Sequence, residues 1–127
     1  MPVLTPLETV ADLDAALARS ASRPILIFKH SITCGSSEVA REEVEELSES
    51  IEQEGWPVDL FVVRVQAARA VSNEIEVRMR VRHESPQVLL ISHGQVIWRA
   101  SHFRVNAKAM SAALLHHVSS ATAPAAR

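Results

Sequence analysis

Apolar residues recur along this chain at two different spacings, and the alternation between the two sets out its elements. Leu13, Ala16 and Leu17 share one helical face behind Asp12, a residue suited to capping free backbone N–H groups, so a helix is expected from Asp12 to about Ser20. Arg23-Pro24 breaks it. Ile25 to Lys29 is a short, partly β-branched run without alternation, the pattern of a strand covered on both faces. After Cys34-Gly35-Ser36-Ser37 a long helix is expected. Its apolar positions Ala40, Val44, Leu47 and Ile51 fall on one face while glutamates crowd the other. Glu38, Glu42 and Glu43 sit in its early turns, where the helix dipole favours negative charge.

Gly55-Trp56-Pro57 closes that helix, and Asp59 to Val65 reads as a second buried strand. A third helix is expected from about Ala68 to Arg80, with Val71, Ile75 and Met79 repeating every four residues. Arg78, Arg80 and Arg82 are read as solvated cations near its C-terminus rather than as a phosphate site. Ser85-Pro86 introduces a strand from Gln87 to Ser92. His93-Gly94 fits a two-residue hairpin turn, and Gln95 to Ala100 returns antiparallel. Asn106 can cap a last helix whose inner face is Met110, Ala113, Leu114 and Val118. Residues 1–118 are thus expected to form one domain, with 119–127 as a small, polar, flexible tail. Val3-Leu4 is too short to be assigned as a strand. The order α, β, α, β, α, β, β, α implies crossover units ending in a hairpin. It is the order of a thioredoxin-like α/β fold, with a central mixed sheet of four to five strands flanked by four helices.

Composition narrows the chemistry. The 127 residues leave room for one core. A net charge of -2 and an aromatic content of 4% argue against nucleic acid or an anionic membrane surface as partner. The longest apolar runs, such as Ile25-Leu26-Ile27-Phe28, are far too short to span a membrane, and no basic segment leads an apolar run at the N-terminus. A cytoplasmic protein is expected. Glycine at positions 35, 55 and 94 alone leaves no dinucleotide or P-loop motif. No pair among His30, His83, His93, His102, His116 and His117 has zinc-motif spacing, so no metal is expected.

The single cysteine, Cys34, excludes an intrachain disulfide and a two-cysteine redox centre. It follows an expected buried strand and heads an expected helix, whose unpaired N–H groups and dipole stabilise a thiolate, the nucleophilic form. Gly35 permits close backbone approach, and Ser37 offers a hydroxyl where a resolving thiol would otherwise stand. A buried packing cysteine remains the competing reading on position alone. Ser85-Pro86 is either a plain loop-to-strand boundary or a cis-proline of the kind a thioredoxin-like domain sets beside its thiol. His30 can modulate the thiol's charge or serve a structural hydrogen bond.

Several segments together carry a family likeness. Phe28-Lys29-His30-Ser31-x-Thr33-Cys34-x-x-Ser37, Val65-Gln66-x-Ala68-Arg69-x-x-Ser72-Asn73, His83-Glu84-Ser85-Pro86-Gln87 and Gly94-x-Val96-x-Trp98-x-x-Ser101-His102 resemble the YtxJ family, the monothiol bacilliredoxins of the bacillithiol system. The resemblance runs from about residue 25 to residue 110. It implies Cys34 as nucleophile, with Ser37 and Pro86 (as cis-proline) completing the catalytic set. Thr33, Gly35, Ser36, Ser85, His83 and Glu84 are then the substrate-binding candidates. Related sequences usually carry Pro where Gly35 stands. The implied partners are proteins holding bacillithiol as a mixed disulfide, with a low-molecular-weight thiol as co-substrate and no other cofactor. A thioredoxin-like interaction or thiol-sensing module without catalysis is the alternative.

Overall fold

The computed structural model describes residues 4–31 and 35–122, excepting the side chains of 35–37 and 119–122. The elements are β1 (Leu4–Pro6), α1 (Val10–Arg19), β2 (Ile25–His30), α2 (Gly35–Glu54), β3 (Asp59–Arg64), α3 (Arg69–Met79), β4 (Gln87–Ser92), β5 (Gln95–Ser101), a single 3-10 turn (His102–Arg104) and α4 (Ala107–Thr122). They build the expected fold. The five strands lie in the order β1-β3-β2-β4-β5. β3 runs parallel to both β1 and β2, whereas β4 is antiparallel to β2 and to β5.

The unbroken apolar runs of β2 and β4 follow from this layering. Leu26 and Phe28 point into a core shared with Ala40, Val44 and Leu47 of α2 and Met110 of α4. Ile25 and Ile27 point the other way, into a core with Leu13 of α1 and Val71 and Ile75 of α3. Alternate residues of one strand therefore feed two cores, and a period-two signal cannot appear. Every inner-face position expected for α2 and α4 is buried. Met79 of α3, at the end of its stripe, only packs against the core edge. At the hairpin, His93 (φ 53°) and Gly94 (φ 74°) both occupy left-handed backbone, as a tight two-residue turn requires.

Several boundaries differ from the sequence reading. Asp12 is not the N-cap of α1; Thr9 is, one turn earlier. The Thr9 hydroxyl accepts from Asp12 N–H at 3.0 Å, and the Asp12 carboxylate accepts from Thr9 N–H at 3.1 Å. This reciprocal capping box places Asp12 inside the helix, and the backbone N–H groups of Glu8 and Thr9, both donating to its carboxylate, hold it below the usual range. The strand too short to assign exists as β1, paired through Leu4–Pro6 with Leu60–Val62. α2 starts at Gly35, two residues before Ser37, since a first turn tolerates Gly and Ser. α4 continues to Thr122, beyond the last buried position, Val118, and residues 123–127 of the expected tail lie outside the described residues. Arg78 is bound to Asp14 and Glu74, and Arg80 ends α3 in left-handed backbone, in keeping with solvated cations.

Replacing Thr9 by Ala removes one half of the box and is expected to cost about 1 kcal/mol of stability. The check is a lower urea midpoint at unchanged slope; no shift would show that Asp12 alone holds the helix start.

Candidate active site

The strand register gathers three chain segments at one end of the sheet. Lys29 of β2 is paired with Gln87 of β4, and Gln87 with Ser101 of β5. The last residues of β2 and β5 therefore flank the first residue of β4. Just before Gln87 stands the Ser85–Pro86 peptide, which is cis. Its loop is fixed to the end of β5, because His102 N–H donates to the Pro86 carbonyl at 2.8 Å. From the same end, β2 leads through Ser31 toward Cys34, and α2 begins one residue after that cysteine.

Cys34 and Thr33 lie outside the described residues. Gly35, Ser36 and Ser37 form the first turn of α2. Pro86 is buried, and the Ser85 hydroxyl beside it is buried without a hydrogen-bond partner. Glu84 accepts from the Ser101 hydroxyl, which holds its carboxyl below the usual range, and its carboxylate lies 4.0 Å from His102 Nε2. Ser85, Glu84 and Pro86 thus stand together at the sheet end. His83 turns instead toward α3. Its Nδ1 lies 3.3 Å from the Ser72 hydroxyl, and its N–H donates to the Glu76 carboxylate at 3.1 Å.

The sheet end also holds charge that the sequence reading did not single out. Lys29 is wholly buried in the middle of the apolar layer. Its ammonium donates to the Ser72 carbonyl at 3.4 Å. Burial pulls it from an ordinary 10.5 to about 8, with the Glu76 carboxylate partly opposing. The same burial, helped by the Lys29 cation, lowers His83. On the opposite face His30 packs edge-on against Phe28, with centroids 5.5 Å apart, and its Nε2 is buried without a partner. Burial again lowers it, so His30 stands neutral near pH 7. The only sequence sign of the Lys29 cluster is a lysine inside a strand that is otherwise apolar. Gln66 donates to the Ser31 hydroxyl at 2.6 Å, steadying the segment that leaves β2, and Trp98 packs on the core.

Among the described residues, no group of three or more His, Cys, Asp or Glu is placed to hold a metal ion. Nor is any helix among them long and apolar enough to cross a membrane. A cavity of about 570 Å³ lies between β1 and α1, at the sheet edge opposite β5. It shares no residue with the gathered segments.

Comparison with known proteins decides the family. The model of the monothiol bacilliredoxin BrxC family matches residues 5–110. The chain belongs to this family. Solved structures show the thioredoxin fold. One, described as an oxidoreductase with a thioredoxin fold, aligns with a TM-score of 0.74 at 23% identity, covering 87% of this chain and 93% of that one. Fasciola hepatica thioredoxin aligns with a TM-score of 0.72 at 21% identity, over 90% of this chain and 99% of that one. Malassezia sympodialis thioredoxin gives 0.74 at 14% identity, over 93% of each. At these identities the structures speak for the fold. The bacilliredoxin family and the thioredoxin fold together support a thiol oxidoreductase.

The buried lysine yields a signed pH effect. Its folded-state affinity for a proton is depressed, so between about pH 8 and 10.5 the unfolded chain binds more protons and stability rises with pH. Lys29→Met removes this term. The stability of the native chain relative to the Met variant should therefore rise by about 2.5 kcal/mol from pH 7 to pH 10. Urea unfolding of both proteins across that range is the measurement, and a constant difference would mean that Lys29 titrates normally.

Proposed function

We propose that this chain is a monothiol thiol–disulfide oxidoreductase that removes bacillithiol from mixed disulfides on proteins, working through Cys34. The observation that carries the reading is the family match over residues 5–110, which contains the one cysteine of the chain. Two features of the fold support it. α2 begins at the residue after Cys34, so a helix N-terminus is available to favour the thiolate. The cis Ser85–Pro86 peptide stands at the sheet end from which β2 leads to that cysteine.

The chemistry needs one thiol. The Cys34 thiolate attacks the bacillithiol sulfur of the mixed disulfide; a new S–S bond forms, the old one breaks, and the protein sulfur leaves as a thiolate that takes up a proton from water. A low-molecular-weight thiolate then attacks the bacillithiol sulfur on Cys34. This returns the Cys34 thiolate and carries bacillithiol away in a small disulfide. No net redox change occurs in the first step, and the second thiol supplies the reducing electrons. In this reading bacillithiol is a thiol co-substrate and no other cofactor is needed.

In this reading the role of Ser37 is to offer its hydroxyl to the sulfur. Thr33, Gly35, Ser36 and Ser85 line the path of the disulfide, Glu84 borders it, and Pro86 presents its backbone to the incoming sulfur. His83, held by Ser72 and Glu76, shapes the loop leading to Pro86 and is a positioning residue. Partners are bacillithiolated proteins and a small thiol. A reducing cytoplasm suits a protein with one free cysteine.

The test uses a bacillithiolated model protein and follows release of its free thiol by mass spectrometry. Wild-type protein is expected to release it and to carry bacillithiol on Cys34. Cys34→Ser should be slower by at least about a hundredfold, since the attacking group is gone. Equal release by the variant overturns the proposal. Alkylation against pH separates the alternative: a Cys34 titrating at about 8.5, like a free thiol, would favour a passive module.

A further inference from the structure

A cleft of about 350 Å³ opens between the end of β5 and the 3-10 turn, lined by Glu84, Arg99, Ser101, His102, Phe103 and Arg104. We propose that this cleft is a docking site for the carboxylate-bearing body of the small thiol, and so selects which low-molecular-weight thiol the protein exchanges. The inference rests on the exchange reaction proposed above and names the part of its substrate that these residues recognise.

Position comes first. The backbone N–H of His102, in the cleft wall, donates to the Pro86 carbonyl, so the cleft is bonded directly to the cis-proline loop. Just beyond the turn, Ala107 N–H donates to the Glu43 carboxylate at 2.7 Å, which ties this segment to α2, the helix after Cys34. A ligand seated here lies alongside the elements from which a sulfur would be reached.

The cleft is also preorganised. His102 occupies left-handed backbone at φ 57°, a conformation a non-glycine residue keeps only when its surroundings fix it. The fixing bonds are present: Val105 N–H to the His102 carbonyl at 3.0 Å, and the Asn106 amide to the Phe103 carbonyl at 3.1 Å. The other end of that amide caps α4 through Ala109 N–H at 2.8 Å. The result is an outward Phe103, 86% exposed, on a turn that cannot easily fold it away.

Charge gives the ligand class. Arg19, Arg23, Arg41 and Arg78 all engage carboxylates. Among the described residues, Arg64, Arg69, Arg80, Arg82, Arg99 and Arg104 form no salt bridge, and of these Arg99 and Arg104 line the cleft. The one carboxylate in the wall, Glu84, accepts from the Ser101 hydroxyl, stands near His102 and also feels the charges of Arg82 and Arg99. Two guanidiniums beside one carboxylate leave the cleft with an excess of positive charge, which favours an anion, and their planar forks suit carboxylates. The volume fits a compact organic body and not a folded partner. Phe103 supplies an apolar wall for that body.

The experiment compares two small thiols as the species released from a model protein disulfide: mercaptosuccinate, which carries two carboxylates, and neutral 2-mercaptoethanol. Wild type is expected to show a KM for the mercaptosuccinate adduct about tenfold below that for the mercaptoethanol adduct, and this preference should shrink as salt rises. Arg99→Gln with Arg104→Gln should abolish the preference, whereas loss of one charge at exposed Arg80 (Arg80→Gln) should keep it. Equal KM values in wild type, or a preference untouched by the double variant, would overturn the cleft. So would a preference that follows acidic residues in the protein substrate instead of the small thiol. A protein that releases neither adduct would instead defeat the exchange reaction. The cleft then remains testable in the Cys34→Ser protein by titrating 2-(methylthio)succinate, a non-reactive thioether. Amide NMR shifts at Ser101–Arg104 that saturate are expected, and no shifts would overturn it.

Discussion

Everything in this molecule hangs on β2 being hydrogen-bonded on both edges and covered on both faces. Six consecutive residues, Ile25–His30, are buried, and five of them, Ile25–Lys29, pair with both a parallel and an antiparallel neighbour. That constraint fixes the register of β4, and through β4 that of β5. The positions of Pro86 and His102 follow from it. A one-residue slip of β2 would exchange the two cores and turn the lysine and the histidine to opposite faces, so few alternative pairings compete. The cost of the arrangement is that Lys29 and His30 are carried out of water with the strand.

The two buried bases are resolved differently. His30 is held neutral, with its ring against Phe28. Lys29 keeps a cation near neutral pH, facing a helix carbonyl and the distant countercharge of Glu76. A residue of this kind disfavours folding unless it does something for the site, since a methionine would fill the same volume without desolvation. Its placement beneath the segment that leaves β2, next to His83 and the loop of Pro86, puts a fixed positive field under the end of the sheet where the chemistry is assigned.

How far the sequence foretold this varies by residue in a physical way. α2 and α4 were legible because their buried positions repeat with the helical period over many turns. The His93-Gly94 turn was legible because few residues accept left-handed backbone. β1 was not, since three residues carry no period, and its partner β3 is more than fifty residues away. Asp12 was misassigned because Thr9 and Asp12 both suit a cap and only the reciprocal bonds choose between them. At the candidate site, Ser85-Pro86 stood out through proline chemistry, while Lys29 read as the polar end of a strand. The cleft was invisible: Glu84 meets Arg99–Arg104 only through the pairing of β4 with β5, and nothing in either segment announces the other.

The short edge strand has a consequence for life in a crowded solution. Leu7 N–H donates to Val62 of β3, so the preceding residue, Pro6, turns its nitrogen to the open side of the sheet. Proline has no hydrogen to offer there. A second chain approaching this edge to extend the sheet finds three residues, one of them unable to donate. Self-association into extended β-structure is blocked on that side by the covalent nature of one side chain, whatever the state of the thiol.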